Sequence, residues 1–514
     1  NKATAGVGQS TSLAADLVND PIWRVAAYAP LLGATIQTVS VTADSLNTAV
    51  QGSLKPLAST TEVVQSGKLR KPGGAVNLPV VESLRAPTAI AAESSSRALR
   101  DLDGAPIGDA IGPVRTQATR VQDELARLRD STSAAATGAA VLPPMLGSKG
   151  TQRYFVAFTS PAEARGTGGF LGTYGILRAQ KGSMTLERVG SNTDLKDFPK
   201  PVLDLGPDYK AINGNLSEVW SGMNLSPHFP FAAQQWIAGW KKQTGEQLQG
   251  AMALDPAALS YLVAATKPIT LPDGRSLPAD QVVSFISNGV YLEFDGRNEE
   301  RKRFQVAVAK QAVQSVLKSG RSQQIAAPLA RAASERRLLV YSTDPSVQKL
   351  LEQWPISGTV DTRPGPFAMA VLNNAAGNKA DYYLQRLLRY ESTGCSRSAQ
   401  GSRISFTVTN AMPAPGGLPS YIAGRVDDRA KTAAPGSSRV RLELLLPMDP
   451  WPSALTVNGR KTGIPLVREV GRPAIVLDLE LPRGKPVTTT VDLSEPISAS
   501  YPRAVEQPLA TAPM

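Results

Sequence analysis

The chain has 514 residues, 42% hydrophobic and 19% charged, with a formal net charge of +12. That length implies about two to four domains, and the balance is that of a folded rather than a disordered chain. With one cysteine, Cys395, and one histidine, His228, an internal disulfide and a zinc site built from several Cys and His are excluded.

A Ser–His–Asp triad would have to use His228, which sits in the Pro-bracketed run Ser226-Pro227-His228-Phe229-Pro230, a setting more usual for a structural histidine. The basic surface favours anionic partners: nucleic acid, anionic lipid headgroups, or phosphate- and carboxylate-bearing polymers. Lys and Arg are scattered, and no helix-turn-helix, RNP or zinc-finger pattern occurs, so nucleic acid is not the expected partner. The chain begins at Asn1 with no signal peptide and no run of about 18 apolar residues. It is therefore either cytosolic or lies downstream of a membrane anchor.

In chain order, residues 1–140 read as helices. Ile36, Val39, Ala43, Leu46 and Val50 form one apolar seam at 3-4 spacing, and Ile111, Val114, Ala118, Val121, Leu125 and Leu128 form another. A helix over 78–102 carries Pro87 as a candidate kink. Gly73-Gly74 and Gly104 mark turns. The expectation is an N-terminal helical bundle serving as a membrane-proximal stalk.

Residues 150–382 read as alternating strands and helices, hence a central α/β domain. Strands are expected over 154–158, 172–178, 184–189 and 252–254. Helices are expected over 231–244, with Trp236 and Trp240 on one side, and from Asp255-Pro256, with Asp as N-cap and Pro at the first helical position. Further helices are expected over 278–290 and 298–317. Residues 383–500 alternate with period two, as in 403–409, and are punctuated by Gly and Pro. This predicts a C-terminal immunoglobulin-like β-sandwich, followed by a loose tail over 501–514. The fold class is α+β and multidomain.

Four segments can carry chemistry. Glu163-Ala164-Arg165-Gly166-Thr167-Gly168-Gly169-Phe170 follows a buried strand; backbone N–H groups at Gly168 and Gly169 plus Arg165 can bind an anion, or the segment is a tight turn closed by a Glu163–Arg165 ion pair. Asp194, last in the run Ser191-Asn192-Thr193-Asp194 that follows a strand end, can ligate Mg²⁺ or cap a turn. Arg301 and Arg303 open a helix on faces about 200° apart, so one of them can face a cleft. Lys379, in the run Asn373 to Tyr383, can bind a ligand, pair with Asp381, or with it join the α/β domain to the sandwich. Glu163, Asp194 and Glu300 are the carboxylates that a glycosidase reading would need.

Several spaced motifs carry a resemblance. They are Pro21-Ile22-Trp23-Arg24 with Pro30-Leu31-Leu32-Gly33, the 163–170 segment, Asn224-Leu225-Ser226-Pro227, Phe229-Pro230, Asp255-Pro256, Glu300-Arg301 and Gly377-Asn378-Lys379-Ala380-Asp381-Tyr382-Tyr383. Over nearly its whole length the chain resembles an actinobacterial family of membrane-anchored extracytoplasmic proteins described as a domain of unknown function. That resemblance implies an extracytoplasmic location and an N-terminal transmembrane helix outside this chain.

Residues 154–317 are similar in order to the LytR-CpsA-Psr phosphotransferases, which move polyprenyl-linked glycopolymers to the bacterial wall. Here the order is a strand, an Arg-containing motif, a second strand, a helix ending in Thr244-Gly245, the Asp255 junction and the Gln-rich helix of Arg301-Lys302-Arg303-Phe304-Gln305. The likeness implies that Arg165, Arg301 and Arg303 hold a lipid pyrophosphate and that Asp194 or Glu163 binds Mg²⁺ or activates the acceptor. Gly168, Gly169, Asn224 and Lys379 complete the expected substrate site. The sequence departs from that family in having Arg165-Gly166-Thr167-Gly168 where it has Arg-Ser-Asp-Thr, and Asn192-Thr193-Asp194 where it has Pro-Arg-Asp. The expected function is to bind, and as an enzyme to transfer, a phosphate-bearing lipid-linked cell-wall glycopolymer. The alternatives are a non-catalytic envelope scaffold or glycan-binding protein, and a carboxylate-dependent glycosidase.

Overall fold

A computed structural model describes every residue except 1, 19, 21–22, 24–26, 28–31, 66, 72–73, 319–321, 397, 499–500 and 513–514. Most of the motif over 21–33, and Gly73 of the expected turn, lie outside the described residues. The chain divides into two compact units, Asn1–Gln152 with Ala179–Met184, and Arg153–Arg178 with Thr185–Met514.

The first unit is helical. The seam starting at Ile36 lies on the helix Gly33–Ala49, which continues through the π-turn Val50–Leu54 into Lys55–Gln65. The expected helix over 78–102 is two helices, Leu78–Ser83 and Arg85–Asp103. The break falls at Leu84, so Pro87 sits in the first turn of the second helix, where its missing N–H costs nothing. The last helix, Gly112–Met145, extends beyond the seam to Pro143 and Pro144. Ala49, Ala98, Leu99, Leu102 and Leu125 form the core. Small side chains allow close approach: Ser95 and Thr132 share a buried hydroxyl contact of 2.7 Å. Among the described residues no helix is long and apolar enough to cross a membrane.

The second unit begins with a mixed region. Strands β1 (Gln152–Ser160), β2 (Phe170–Gln180), β3 (Ser183–Ser191), β4 (Gly250–Leu254) and β7 (Leu338–Ser342) form one sheet in the order β3-β2-β1-β4-β7; β5 (Ile269–Thr270) and β6 (Ser276–Leu277) form a small pair apart. β1 and β4 are parallel, and β7 is antiparallel to β4. The helix Phe229–Thr244 covers the sheet because Trp236 and Trp240, one turn apart, both pack on Phe155 of β1. Gly245 ends it in the left-handed conformation, with φ of 79°. After β4, Asp255 accepts from the Ala258 N–H at 2.7 Å and Pro256 opens the helix Pro256–Ala265, as that dipeptide predicts.

The rest of the second unit is rich in strands. One sheet is β13-β12-β16-β10-β9, namely Arg460–Lys461, Trp451–Val457, Pro486–Pro496, Ala399–Asn410 and Leu384–Cys395. The other is β14-β15-β11-β8-β17, namely Leu466–Glu469, Arg472–Leu481, Ser438–Leu445, Phe367–Asn374 and Arg503–Glu506. Their facing sides share one core, with Ile404, Phe406 and Val491 from the first sheet and Leu372, Leu442 and Ile475 from the second.

Two expectations are corrected here. Residues 367–374, inside the stretch expected to be α/β, form β8, a member of this second sheet, paired with β11. It is buried along its whole length because Ala368, Ala370 and Leu372 face the shared core while Phe367, Met369 and Val371 face a second cluster. The tail over 501–514, expected to be loose, supplies β17, which runs parallel to β8. It then buries Leu509 completely.

Candidate functional site

The 163–170 segment connects β1 to β2, and residues 161–169 are all buried. The backbone packs so closely that a Cβ on Gly169 would run into the Ser160–Pro161 backbone. Gly168 has a φ of 123°, which side-chain-bearing residues rarely adopt. Asn224 reaches in and donates to the Thr167 hydroxyl and the Gly169 carbonyl, each at 2.9 Å.

Arg165, expected to meet a ligand, is engaged inside the protein. Its Nη2 donates to Glu163 Oε1 at 2.8 Å, its Nε to the Ser221 carbonyl at 3.1 Å and its Nη1 to the Ala164 carbonyl at 2.8 Å. Lys379 Nζ, buried like Arg165, makes an ion pair with the other carboxylate oxygen of Glu163. Burial works against the Glu163 carboxylate, but Lys379 and Arg165 prevail and hold its pKa below the usual range. Burial likewise works against the Lys379 ammonium, but Glu163 beside it prevails and holds that pKa above the usual value. The expected Lys379–Asp381 pair is not what forms: Asp381 instead accepts from the Ala164 N–H at 2.8 Å and from Asn374 Nδ2 at 2.9 Å.

Lys379 also lines a cavity of about 110 Å³. One wall is the helix Asn298–Lys318. Arg301, Phe304, Gln305, Val308 and Ala312 line the cavity at the 3-4 spacing of one helical face. The stripe therefore runs about 16 Å from a charged end to an apolar end. Leu254, Leu259, Phe285, Ile286 and Val290 supply further apolar wall. Beside Arg301 are Tyr291 and Tyr421, with Lys379 near both rings; Lys302 and Asn192 also belong to the lining.

Arg301 is 3% exposed, and its Nε has no hydrogen-bond partner among the described residues. No carboxylate described makes an ion pair with it. Its guanidinium lies instead over two aromatic rings, 4.8 Å from the Tyr291 centroid and 4.1 Å from that of Tyr421. Those two rings stack on one another at 5.6 Å. A buried cation without a counter-ion is costly, and an anion entering the cavity would relieve that cost.

The other candidates lie elsewhere. Arg303 is exposed, and Lys302 lines the cavity in its place. Asp194 is exposed and closes a capping box with Ser191, accepting from the Ser191 N–H at 2.9 Å. Glu300 is exposed and paired with Arg297 at 3.1 Å. None of Glu163, Asp194 and Glu300 lines the cavity, so no carboxylate pair for glycoside hydrolysis is assembled there. His228 accepts from the Val360 N–H at 3.2 Å, and burial, with Arg336 nearby, drives its pKa down to about 4.

The carboxylates expected to meet Mg²⁺, and Asp255 in the cavity lining, are each engaged by other groups. Asp194 caps its own turn, Glu163 is held by two cations, and Asp255, the one acid in the cavity lining, is engaged by Arg337 at 2.6 Å and by the Ala258 N–H. Among the described residues no group of three or more His, Cys, Asp or Glu is arranged to hold a metal ion.

The signal for Arg301 was legible, as one of two arginines on opposite helix faces. Lys302 and Tyr421 were missed, the first inside a charge run and the second on the short helix Ser420–Ala423, which no motif marks. Compared with known families, residues 149–291 match the model described as a protein of unknown function (DUF4012). The matched stretch contains β1 to β4 and the cavity wall as far as Tyr291, and stops before Arg301, Lys379 and Tyr421. No curated protein matches the chain.

Proposed function

We propose that this protein binds the phosphate-bearing end of a lipid-linked cell-envelope glycopolymer, with the lipid chain in the cavity. The observation that carries the reading is the buried Arg301, whose Nε has no hydrogen-bond partner among the described residues, lining a largely apolar cavity. An apolar wall alone would take any greasy molecule. A buried cation without an acid selects an amphiphile whose polar end is anionic. Lys302 adds positive charge to the lining, and Lys379, paired with Glu163, lines the cavity as well.

The resemblance to LytR-CpsA-Psr phosphotransferases and to membrane-anchored extracytoplasmic proteins supports a polyprenyl chain, a cell-envelope setting and an actinobacterial origin. It also supports an LytR-CpsA-Psr-like middle region and an immunoglobulin-like strand-rich region. The internal engagement of Arg165 favours a binding role without turnover, as in an envelope scaffold. Transfer to an acceptor is the further step that the resemblance implies.

The test is calorimetric titration with a short-chain polyprenyl monophosphate and its pyrophosphate, with and without Mg²⁺, on wild type and Arg301→Gln. Saturable binding that does not require Mg²⁺ and weakens about thirtyfold in the variant is expected, the size of a lost charge-assisted hydrogen bond. Absence of binding by wild type would sink the reading, and equal binding by the variant would remove Arg301 from it. Incubation with a hydroxyl-bearing glycan acceptor then separates a carrier from a transferase.

A further inference from the structure

Tyr421 reaches the cavity from outside the mixed region. It lies on the short helix Ser420–Ala423, in the 411–437 connection between β10 and β11 of the strand-rich region. Three contacts fix it there. Ile422 beside it is fully buried in the cluster that contains Tyr291, Phe304 and Val308. Asn378 Nδ2 donates to the Gly424 carbonyl at 2.8 Å, and the Val426 N–H donates to the Ala376 carbonyl at 2.8 Å. The segment is thus pinned to the turn after β8 that carries Lys379. Both Lys379 and Tyr421 are delivered to the cavity by the strand-rich region.

The aromatic pair solves a particular electrostatic problem. A buried guanidinium needs attraction from its surroundings, and a carboxylate would supply it while cancelling the charge. Ring faces supply it through their quadrupole and leave the full positive charge in place. Lys379 also lies over rings, its ammonium 4.7 Å from the Phe170 centroid and 5.4 Å from that of Tyr421, but it keeps its carboxylate partner Glu163.

We infer that Tyr421 is a specificity-determining residue of the cavity: stacked on Tyr291, it holds Arg301 in place without neutralising it, so that the site selects an anionic head over a neutral one on the same tail. The inference rests on the reading of the cavity as a lipid site and adds to it that the strand-rich region sets head-group selection. Residues 149–291 alone therefore do not contain the selective end of the site.

The experiment measures affinities of the full chain for an alkyl phosphate and for the alkyl glucoside of the same chain length. Tyr421→Phe keeps the ring face, Tyr421→Leu keeps apolar bulk without it, and Tyr421→Glu places an acid beside Arg301. Wild type is expected to prefer the phosphate, and Tyr421→Phe to match it. Tyr421→Leu should lose about tenfold for the phosphate and little for the glucoside. Tyr421→Glu should lose the preference altogether. If Tyr421→Glu does not fold, the Phe and Leu variants decide.

Wild-type preference with Tyr421→Leu unchanged would overturn the inference and leave the lipid-site reading standing. Equal binding of both probes by wild type would overturn it too. Binding of neither probe by wild type would overturn both.

Discussion

A buried carboxylate must be matched by cations, and Glu163 is matched twice, by Lys379 and Arg165. Glu163→Gln leaves two buried cations without their acid and is expected to cost about 3–5 kcal/mol in equilibrium denaturation. A loss below about 1 kcal/mol would show that the cluster is not the anchor described. Arg301 is the opposite case. Arg301→Gln removes a buried charge that has no ion-pair partner, so the thermal midpoint of the free protein should stay level or rise while anion affinity falls; a marked drop in midpoint would mean that the guanidinium holds the fold rather than a ligand. At this scale the sequence was half readable. Glu163 and Arg165 are two residues apart, so their pairing could be proposed directly. Lys379, 216 residues further on, joins them only through the packing of β8 beside the 163–170 segment, which no local pattern announces.

The elements followed their local signals where burial is one-sided. β10 alternates because one face packs in the shared core and the other does not, and its sequence alternates accordingly. β8 is buried on both faces, so it carries no alternation to distinguish it from a strand of an α/β sheet. The cap Asp255-Pro256 was readable for a chemical reason: it satisfies a free N–H locally and needs no partner from elsewhere. The C-terminal strand β17 was unreadable because it is short and is held by distant partners. Gln507 donates to the carbonyls of Arg165 and Leu372, and Arg337 donates to the Leu509 carbonyl at 3.2 Å. Ending the chain at Pro502 should therefore lower stability by about 3 kcal/mol or more, from the buried Leu509 and the lost pairing of β17. Urea denaturation of the shortened chain measures this, and an unchanged midpoint would contradict it.

Across the whole molecule, the order helical, mixed, strand-rich was legible because periodicity changes from 3.6 to 2 along the chain. The joining of the last two regions in one unit was not, because it depends on Tyr421, Lys379 and the residues after β17, Gln507 and Leu509, crossing between them. The titratable groups give a second whole-molecule consequence. Burial pushes Glu469 and Glu495 up to about 7 and Asp381 to about 6, and burial with Glu469 nearby pushes Glu443 well above its usual value. In the unfolded chain such groups titrate near 4. The native state thus holds more protons than the unfolded state between about pH 4 and 7, and stability falls as pH rises through that window. His228 acts in the other sense, because its depressed pKa makes stability fall as pH drops from about 6.5 to 4. Between pH 8 and 6.5 the carboxylates outweigh His228, so the thermal midpoint should rise as pH is lowered across that range. A midpoint that falls there would contradict these assignments.

The central claim is a placement: tail along the helix Asn298–Lys318, head at Arg301. Photo-crosslinking with an alkyl phosphate that carries a diazirine at the far end of its tail tests it directly. Peptide mapping should find the label on Val308, Ala309 or Ala312, or on the facing Leu254 and Leu259, and excess polyprenyl monophosphate should suppress it. Label confined to the exposed surface, or indifferent to the competitor, would contradict the claim.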